Sequence, residues 1–140
     1  MSTAPLVLER VYNAPIGKVW TAISDLEHMR KWYFKLDEFK AEVGFEFHFY
    51  GDGNKENLKY ATSARVVAVE PGKKLAYTWS LDAAPAITTV TWELFEEGGN
   101  TRLVLTHEGL ETIPGTDYPR DSFNGGWTSF MGKLDNYLSL

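Results

Sequence analysis

Three histidines are the residues of this chain best suited to acid–base work, and their neighbours decide what each can do. In Leu103-Val104-Leu105-Thr106-His107 the alternation of a strand puts His107 on the face of Leu103 and Leu105, pointing inward at a strand end. A neutral imidazole there can hydrogen-bond a ligand or serve as a general base, because its proton affinity lies close to neutrality. The other reading is a histidine satisfied by backbone or by a neighbouring carboxylate, since inward polar groups must be paired whatever they do. Glu108 follows His107 but faces the opposite side of a regular strand, so the two form no dyad. His48 shares a face with Glu46 and lies outside if Phe45, Phe47 and Phe49 lie inside. His28, in a short helical stretch, reads as a surface residue.

Other chemistries find no support. The histidines lack HxxxH or HExxH spacing, so no metal site is expected. No serine stands in a G-x-S-x-G elbow, and the absence of cysteine removes thiol nucleophiles, disulfides and thiolate ligation together. The glycine clusters lack the G-x-x-x-x-G-K-[ST] arrangement of a nucleotide loop. The expectation is therefore no catalytic residue and no cofactor. A net charge of −5 with scattered signs argues against a nucleic-acid partner, which would need clustered Lys and Arg. Met1-Ser2-Thr3-Ala4-Pro5 has no basic segment followed by an apolar one, and no apolar run approaches the roughly 18 residues of a membrane span. A cytoplasmic protein is the default.

These few candidates must be held by a scaffold rich in aromatic residues, which number twenty of the 140. With 44% hydrophobic content the chain can fill one core and not two, so 1–140 is expected to be one domain. Leu6 to Tyr12 alternates as a strand. Pro15 then sits where a first helical turn tolerates a missing N–H, and Ile16, Val19, Trp20 and Ile23 share one face, predicting a helix from about Pro15 to Ile23. Ser24 and Glu27 have capping-box spacing, which predicts a second short helix ending near Trp32.

From Asp37 to Glu108 the period is that of strands, cut by turn signals at Gly51-Asp52-Gly53-Asn54, Glu70-Pro71-Gly72 and Glu97-Gly98-Gly99-Asn100. Phe45, Phe47 and Phe49 mark one inward face. Leu75, Tyr77 and Trp79 mark another, as do Val90, Trp92 and Leu94. Arg120 to Leu138 returns to helical spacing, with Phe123, Trp127, Phe130, Leu134 and Tyr137 or Leu138 in one stripe. Gly125-Gly126 inside it costs about 1–2 kcal/mol of helix propensity. Such a pair is expected to mark the helix start or to admit a close neighbour. The loop from Gly109 to Pro119 is the candidate gate.

A strand, two short helices, six strands and a long C-terminal helix follow the order of the START-like, or helix-grip, α+β fold, in which a curved antiparallel sheet wraps the last helix. The opening Glu9-Arg10-Val11-Tyr12-Asn13-Ala14-Pro15-Ile16-Gly17-Lys18-Val19-Trp20, with Leu26-Glu27-His28-Met29-Arg30-Lys31-Trp32, resembles that of SRPBCC proteins related to the activator of heat-shock protein 90 ATPase. Thr101-Arg102-Leu103-Val104-Leu105-Thr106-His107-Glu108-Gly109, and Gly125-Gly126-Trp127 through Leu138, resemble the closing segments, so essentially the whole chain is covered. The resemblance implies a hydrophobic cavity between sheet and long helix. For eukaryotic members it also implies stimulation of the chaperone's ATPase, although there an additional N-terminal domain makes major chaperone contacts and this chain corresponds to the C-terminal domain alone.

Trp32, Phe45, Phe47, Phe49, Tyr60, Tyr77, Trp79, Trp92, Phe123, Trp127, Phe130 and Met131, with His107, belong to segments that would surround the space beneath the long helix. Each ring taken singly can be plain core. Taken together they suit a cavity for a small apolar ligand of lipid, sterol, polyketide or flavonoid class, with the Tyr60 and Tyr77 hydroxyls to orient its polar end. The leading expectation is a carrier, sensor or sequestering protein without catalysis of its own. The first alternative is a co-chaperone-like modulator with a chaperone partner, meeting it through Glu46, His48, Arg65 and Arg102. The second is a cofactor-free enzyme for an aromatic or polyketide-like substrate, with His107 as acid or base and Tyr60 or Tyr77 assisting.

Overall fold

The computed structural model describes residues 4–34, 36–50, 56, 58–115 and 118–139. Its elements are β1 (Leu6–Tyr12), α1 (Ile16–Ser24), α2 (Leu26–Trp32), β2 (Glu46–Tyr50), β3 (Ala61–Glu70), β4 (Lys74–Leu81), β5 (Ala84–Glu97), β6 (Asn100–Glu108) and α3 (Arg120–Leu138). Single 3₁₀ turns lie at Leu58–Tyr60 and Leu110–Thr112. The strands form one curved antiparallel sheet in the order β1-β6-β5-β4-β3-β2. The fold is α+β, with the helix pair early and the long helix last.

The expected six strands after the helix pair are corrected to five among the described residues. The described residues of 37–43 form no strand, Phe45 N–H closes a turn on the Glu42 carbonyl at 3.0 Å, and Gly44 and Phe45 only extend the β2 edge by bonding Val66 of β3 at 2.8 and 2.9 Å. Ala84–Glu97 is a single strand of 14 residues. The turn at Glu70-Pro71-Gly72 forms, with Lys73 N–H closing on Glu70 O at 2.8 Å. Gly98 and Gly99 link β5 to β6 with φ of 57° and 89°, the positive values that a two-residue hairpin of matching twist demands. A further hairpin, Asp82-Ala83 between the paired Leu81 and Ala84, holds no glycine and leaves no signal in the sequence. The turn read at 51–54 lies outside the described residues, as do 116 and 117 of the candidate gate.

The capping box at Ser24 does not form. Ser24 is the last residue of α1, its hydroxyl donates back to the Trp20 carbonyl at 2.6 Å, and Asp25 in extended backbone separates the helices. The inward faces are as the alternation predicts: Phe47, Phe49, Leu75, Tyr77, Trp79, Val90, Trp92, Leu94, Leu103, Leu105 and His107 are all buried. Phe45, just ahead of β2, is half-buried against Phe39. On the outer face Arg102 donates to Glu97 at 2.8 Å and to Glu9 at 3.3 Å, an exposed lattice worth little per pair.

Helix α3 is held mainly through its second half. Met131, Leu134 and Leu138 are buried, and burial at about 1.5–3 kcal/mol each outweighs the roughly 1 kcal/mol that each of Gly125 and Gly126 costs. Side chains from elsewhere add pins. Tyr12 donates to Met131 O at 2.9 Å, Lys18 to Leu138 O at 2.7 Å, and Arg10 pairs with Asp135 at 2.9 Å. Neither expected reason for the glycine pair applies. The helix starts five residues earlier, at Arg120, and no neighbouring element comes within 4 Å of a Cβ built on either glycine.

Candidate ligand-binding site

Beside the first turns of α3 the structure leaves a half-open cavity of about 320 Å³. That is the lower end of the roughly 300–1,000 Å³ of small-molecule sites. The sheet side supplies Thr62, Trp79 and Leu81, with Tyr60 from the turn before β3. The helix supplies Ser122, Phe123, Gly126, Trp127 and Phe130, and Phe34 and Tyr118 complete the wall. Local sequence explains the opening. Ser122, Gly126 and Phe130 follow one another at i, i+4 on one helical face, and the first two are too small to reach the sheet. From Arg120 to Gly126 no residue of the helix is buried, whereas Trp127 is 3% exposed.

Of the thirteen residues proposed from sequence, Tyr60, Trp79, Phe123, Trp127 and Phe130 come together on this wall. Phe49 backs it, edge-on to Trp79 at 5.0 Å and stacked on Phe34 at 4.5 Å, and Phe47, stacked on Phe49 at 6.1 Å, meets Tyr77 edge-on at 5.3 Å. Trp32, Tyr77 and Trp92 sit instead in a closed cluster around Tyr33, and Met131 is sealed beneath α3. Sequence reasoning misses Phe34, Thr62, Leu81, Tyr118, Ser122 and Gly126. Thr62 and Leu81 are cross-strand partners at inward parity, so strand register could have found them. The i, i+4 run of small residues could have found Ser122 and Gly126. Phe34, in an irregular stretch, has no periodicity to betray it.

The polar groups around the cavity are mostly committed. Trp127 Nε1–H donates to His107 Nδ1 at 3.1 Å, which leaves the imidazole proton on Nε2, facing Thr88 Oγ1 at 2.7 Å. The Thr88 hydroxyl passes its own proton to the Trp79 carbonyl at 2.7 Å. With 0% exposure His107 keeps its neutral form, and burial pushes its pKa down to about 3. Both ring nitrogens are engaged, so the general-base reading of His107 is not favoured. Its partners are a threonine and an indole, not the expected backbone or carboxylate.

The Tyr77 hydroxyl is likewise not free. It accepts from Trp92 Nε1–H at 3.0 Å and shares a 2.5 Å hydrogen bond with Tyr33, and burial raises both phenols above their ordinary range. One buried group stands apart. Among the described residues, Trp79 Nε1 is the buried side-chain polar atom with no hydrogen-bond partner, and Trp79 is part of the cavity wall. An orphaned donor costs about 1–3 kcal/mol, which calls for an explanation.

The remaining histidines lie elsewhere. His28 lies at the surface, its side chain 43% exposed, with Nδ1 2.5 Å from the Tyr137 hydroxyl. His48 is outside as expected, 3.0 Å from Ser63 Oγ, which donates to Asp82 at 2.7 Å. The serine proton is thus directed to the aspartate and away from the histidine, the reverse of an activated nucleophile.

A six-stranded curved sheet gripping a long C-terminal helix, with a cavity between them, defines the helix-grip class. The chain matches the family "Activator of Hsp90 ATPase homolog 1-like protein" over residues 13–139, and it belongs to that family. Among solved structures it is similar to protein MLL2253 from Mesorhizobium loti, 29% identical with a TM-score of 0.78, each chain covered to 97%. It is also similar to protein BH1534 from Bacillus halodurans, 26% identical with a TM-score of 0.74 and 96% of each chain covered. Protein CV1439 from Chromobacterium violaceum, at 23% identity, a TM-score of 0.78 and 97% of each chain covered, shares the fold. No curated protein matches the chain. No helix of the described residues is long and apolar enough to cross a membrane.

Proposed function

We propose that this protein binds a small apolar molecule in the cavity at the first turns of α3, as a carrier, sensor or sequestering protein forming one helix-grip domain. The carrying observation is the helix face Ser122-Gly126-Phe130, which leaves about 320 Å³ open against a wall of aromatic rings that cannot collapse into it. The size suits a flat aromatic compound of flavonoid or short polyketide type better than a sterol or a long-chain lipid. The site residues are Tyr60, Trp79, Phe123, Trp127 and Phe130, joined by Phe34, Thr62, Leu81, Tyr118, Ser122 and Gly126. Trp32, Phe45, Phe47, Phe49, Tyr77, Trp92, His107 and Met131 hold the wall from behind. The enzyme alternative is the weaker one, because His107 and Tyr77 spend their polar atoms on protein partners.

The test is a titration with flavone followed by tryptophan fluorescence. Gly126→Leu, which puts a branched side chain into the cavity, is expected to weaken binding by more than about tenfold while the variant still unfolds cooperatively. Unchanged affinity in a folded variant would move the site elsewhere. The family description favours a second reading, modulation of a chaperone ATPase through the outer sheet face that carries Glu46, His48, Arg65 and Arg102. Mixing the purified proteins and measuring ATP turnover decides it: no complex and no rate change would remove it.

A further inference from the structure

We propose that the cavity is built for an uncharged aromatic compound bearing one neutral hydrogen-bond acceptor, such as a ketone or quinone oxygen, received by Trp79 Nε1–H, and that it rejects the corresponding carboxylate. This rests on the cavity being a ligand site and adds the ligand's chemistry. None of the side chains on the wall carries a charge at neutral pH. Its polar groups are hydroxyls and indole N–H groups, and most are spoken for. Thr62 donates to Tyr60 O at 3.0 Å, Tyr118 to Lys59 O at 2.5 Å, and Trp127 to His107. Ser122 is exposed and Tyr60 half-buried, so water serves both.

What remains in the buried part is the Trp79 indole N–H, a donor without charge. Such a donor completes a neutral acceptor. An anion in the same place would need a cation that the wall lacks, and removing a carboxylate from water without one is prohibitive. Lys59 does not answer that need. It is exposed, with its ammonium over the rings of Tyr60 and Tyr118 at 5.5 and 5.7 Å, where water screens it. The aromatic faces of Phe34, Phe123 and Trp127 favour a flat body. The Trp79 nitrogen is sealed from solvent, so an acceptor reaches it only with an apolar skeleton that shifts the wall rings as it enters.

The test uses one skeleton in three forms, naphthalene, 2-acetylnaphthalene and 2-naphthoate, titrated at neutral pH and watched through the indole N–H signals. The ketone is expected to bind about threefold to tenfold more tightly than naphthalene, the ordinary worth of one neutral hydrogen bond. The carboxylate should bind more than about tenfold more weakly than the ketone. The Trp79 indole proton should shift downfield with the ketone beyond the ring-current change that naphthalene gives, and Trp79→Phe should erase the ketone's advantage over naphthalene. Should that variant fail to fold, the wild-type indole signal still decides. Naphthoate binding as tightly as the ketone, or a ketone with no advantage and an unmoved Trp79 signal, overturns the proposal and leaves the cavity a ligand site. No binding by any of the three overturns both.

Discussion

The two halves of α3 meet the rest of the protein in opposite ways. Beneath the second half, Met131, Leu134 and Leu138 press on the core and polar side chains pin the helix backbone. Beneath the first half, Phe34, Tyr60 and Trp79 offer aromatic rings, yet the helix brings Ser122 and Gly126 to them and a cavity results. Aromatic content therefore does not locate a binding site. The residue opposite the rings decides whether they are core or wall.

The largest expected effect separates the halves by stability. Leu134 is 0% exposed, so Leu134→Ala should cost about 2–5 kcal/mol in urea unfolding while leaving affinity for 2-acetylnaphthalene nearly intact. Phe123 is half-buried, and Phe123→Ala should cost less, about 1–2 kcal/mol, but weaken the ligand. Equal stability losses would mean that both halves are packed core. Somewhat smaller is the effect of opening the closed cluster. Tyr77→Phe deprives Trp92 Nε1–H of its acceptor and Tyr33 of its partner, so about 2–3 kcal/mol should be lost. Tyr33→Phe should cost less, because the Trp92 bond to Tyr77 survives.

His107 stands at the boundary, and pH reports which side it belongs to. Its pKa in the folded protein is about 3, against an ordinary value near 6.5 once unfolded. Between those values the unfolded chain holds the extra proton, so stability falls as pH is lowered through that window. From pH 7 to pH 5 this single group should remove about 2 kcal/mol. His107→Gln, whose amide can accept from Trp127 and donate to Thr88 without titrating, should show a pH dependence shallower by that amount. Parallel curves for the two proteins would mean that His107 is open to the cavity and its water.

How much of this was legible follows from what each element depends on. Strand alternation and the Gly98-Gly99 turn are local, so the inward faces and most of the meander could be read, including the inward parity of His107. The span of α3, Arg120 to Leu138, is equally legible, as is the helix-grip order apart from one strand too many after the helix pair. What escaped depends on tertiary packing. Tyr77 and Trp92 share the inward parity and ring chemistry of Trp79, Trp32 ends the short helix α2, and nothing local says that Tyr33 closes over them. Gly125-Gly126 was visible as an anomaly, but its reading as a close approach was the opposite of the open space found there.

That glycine pair gives the smallest predicted effect and the cleanest comparison. Both residues sit in one helix, neither needs a positive φ, and neither would bring a Cβ within 4 Å of a neighbouring element. Alanine at either position should therefore stabilise the protein by about 1 kcal/mol through helix propensity, read as a higher unfolding midpoint. The positions differ in that Gly126 lines the cavity and Gly125 does not. Gly125→Ala should bind 2-acetylnaphthalene as the parent does, while Gly126→Ala should bind it more weakly as the extra methyl intrudes. A fold gains nothing from a glycine that is neither strained nor crowded, so a stabilised Gly126→Ala with reduced affinity identifies the residue as kept for the space it leaves. Stabilisation with unchanged affinity at both positions would make the pair a tolerated weakness of the helix, and the cavity beside it incidental.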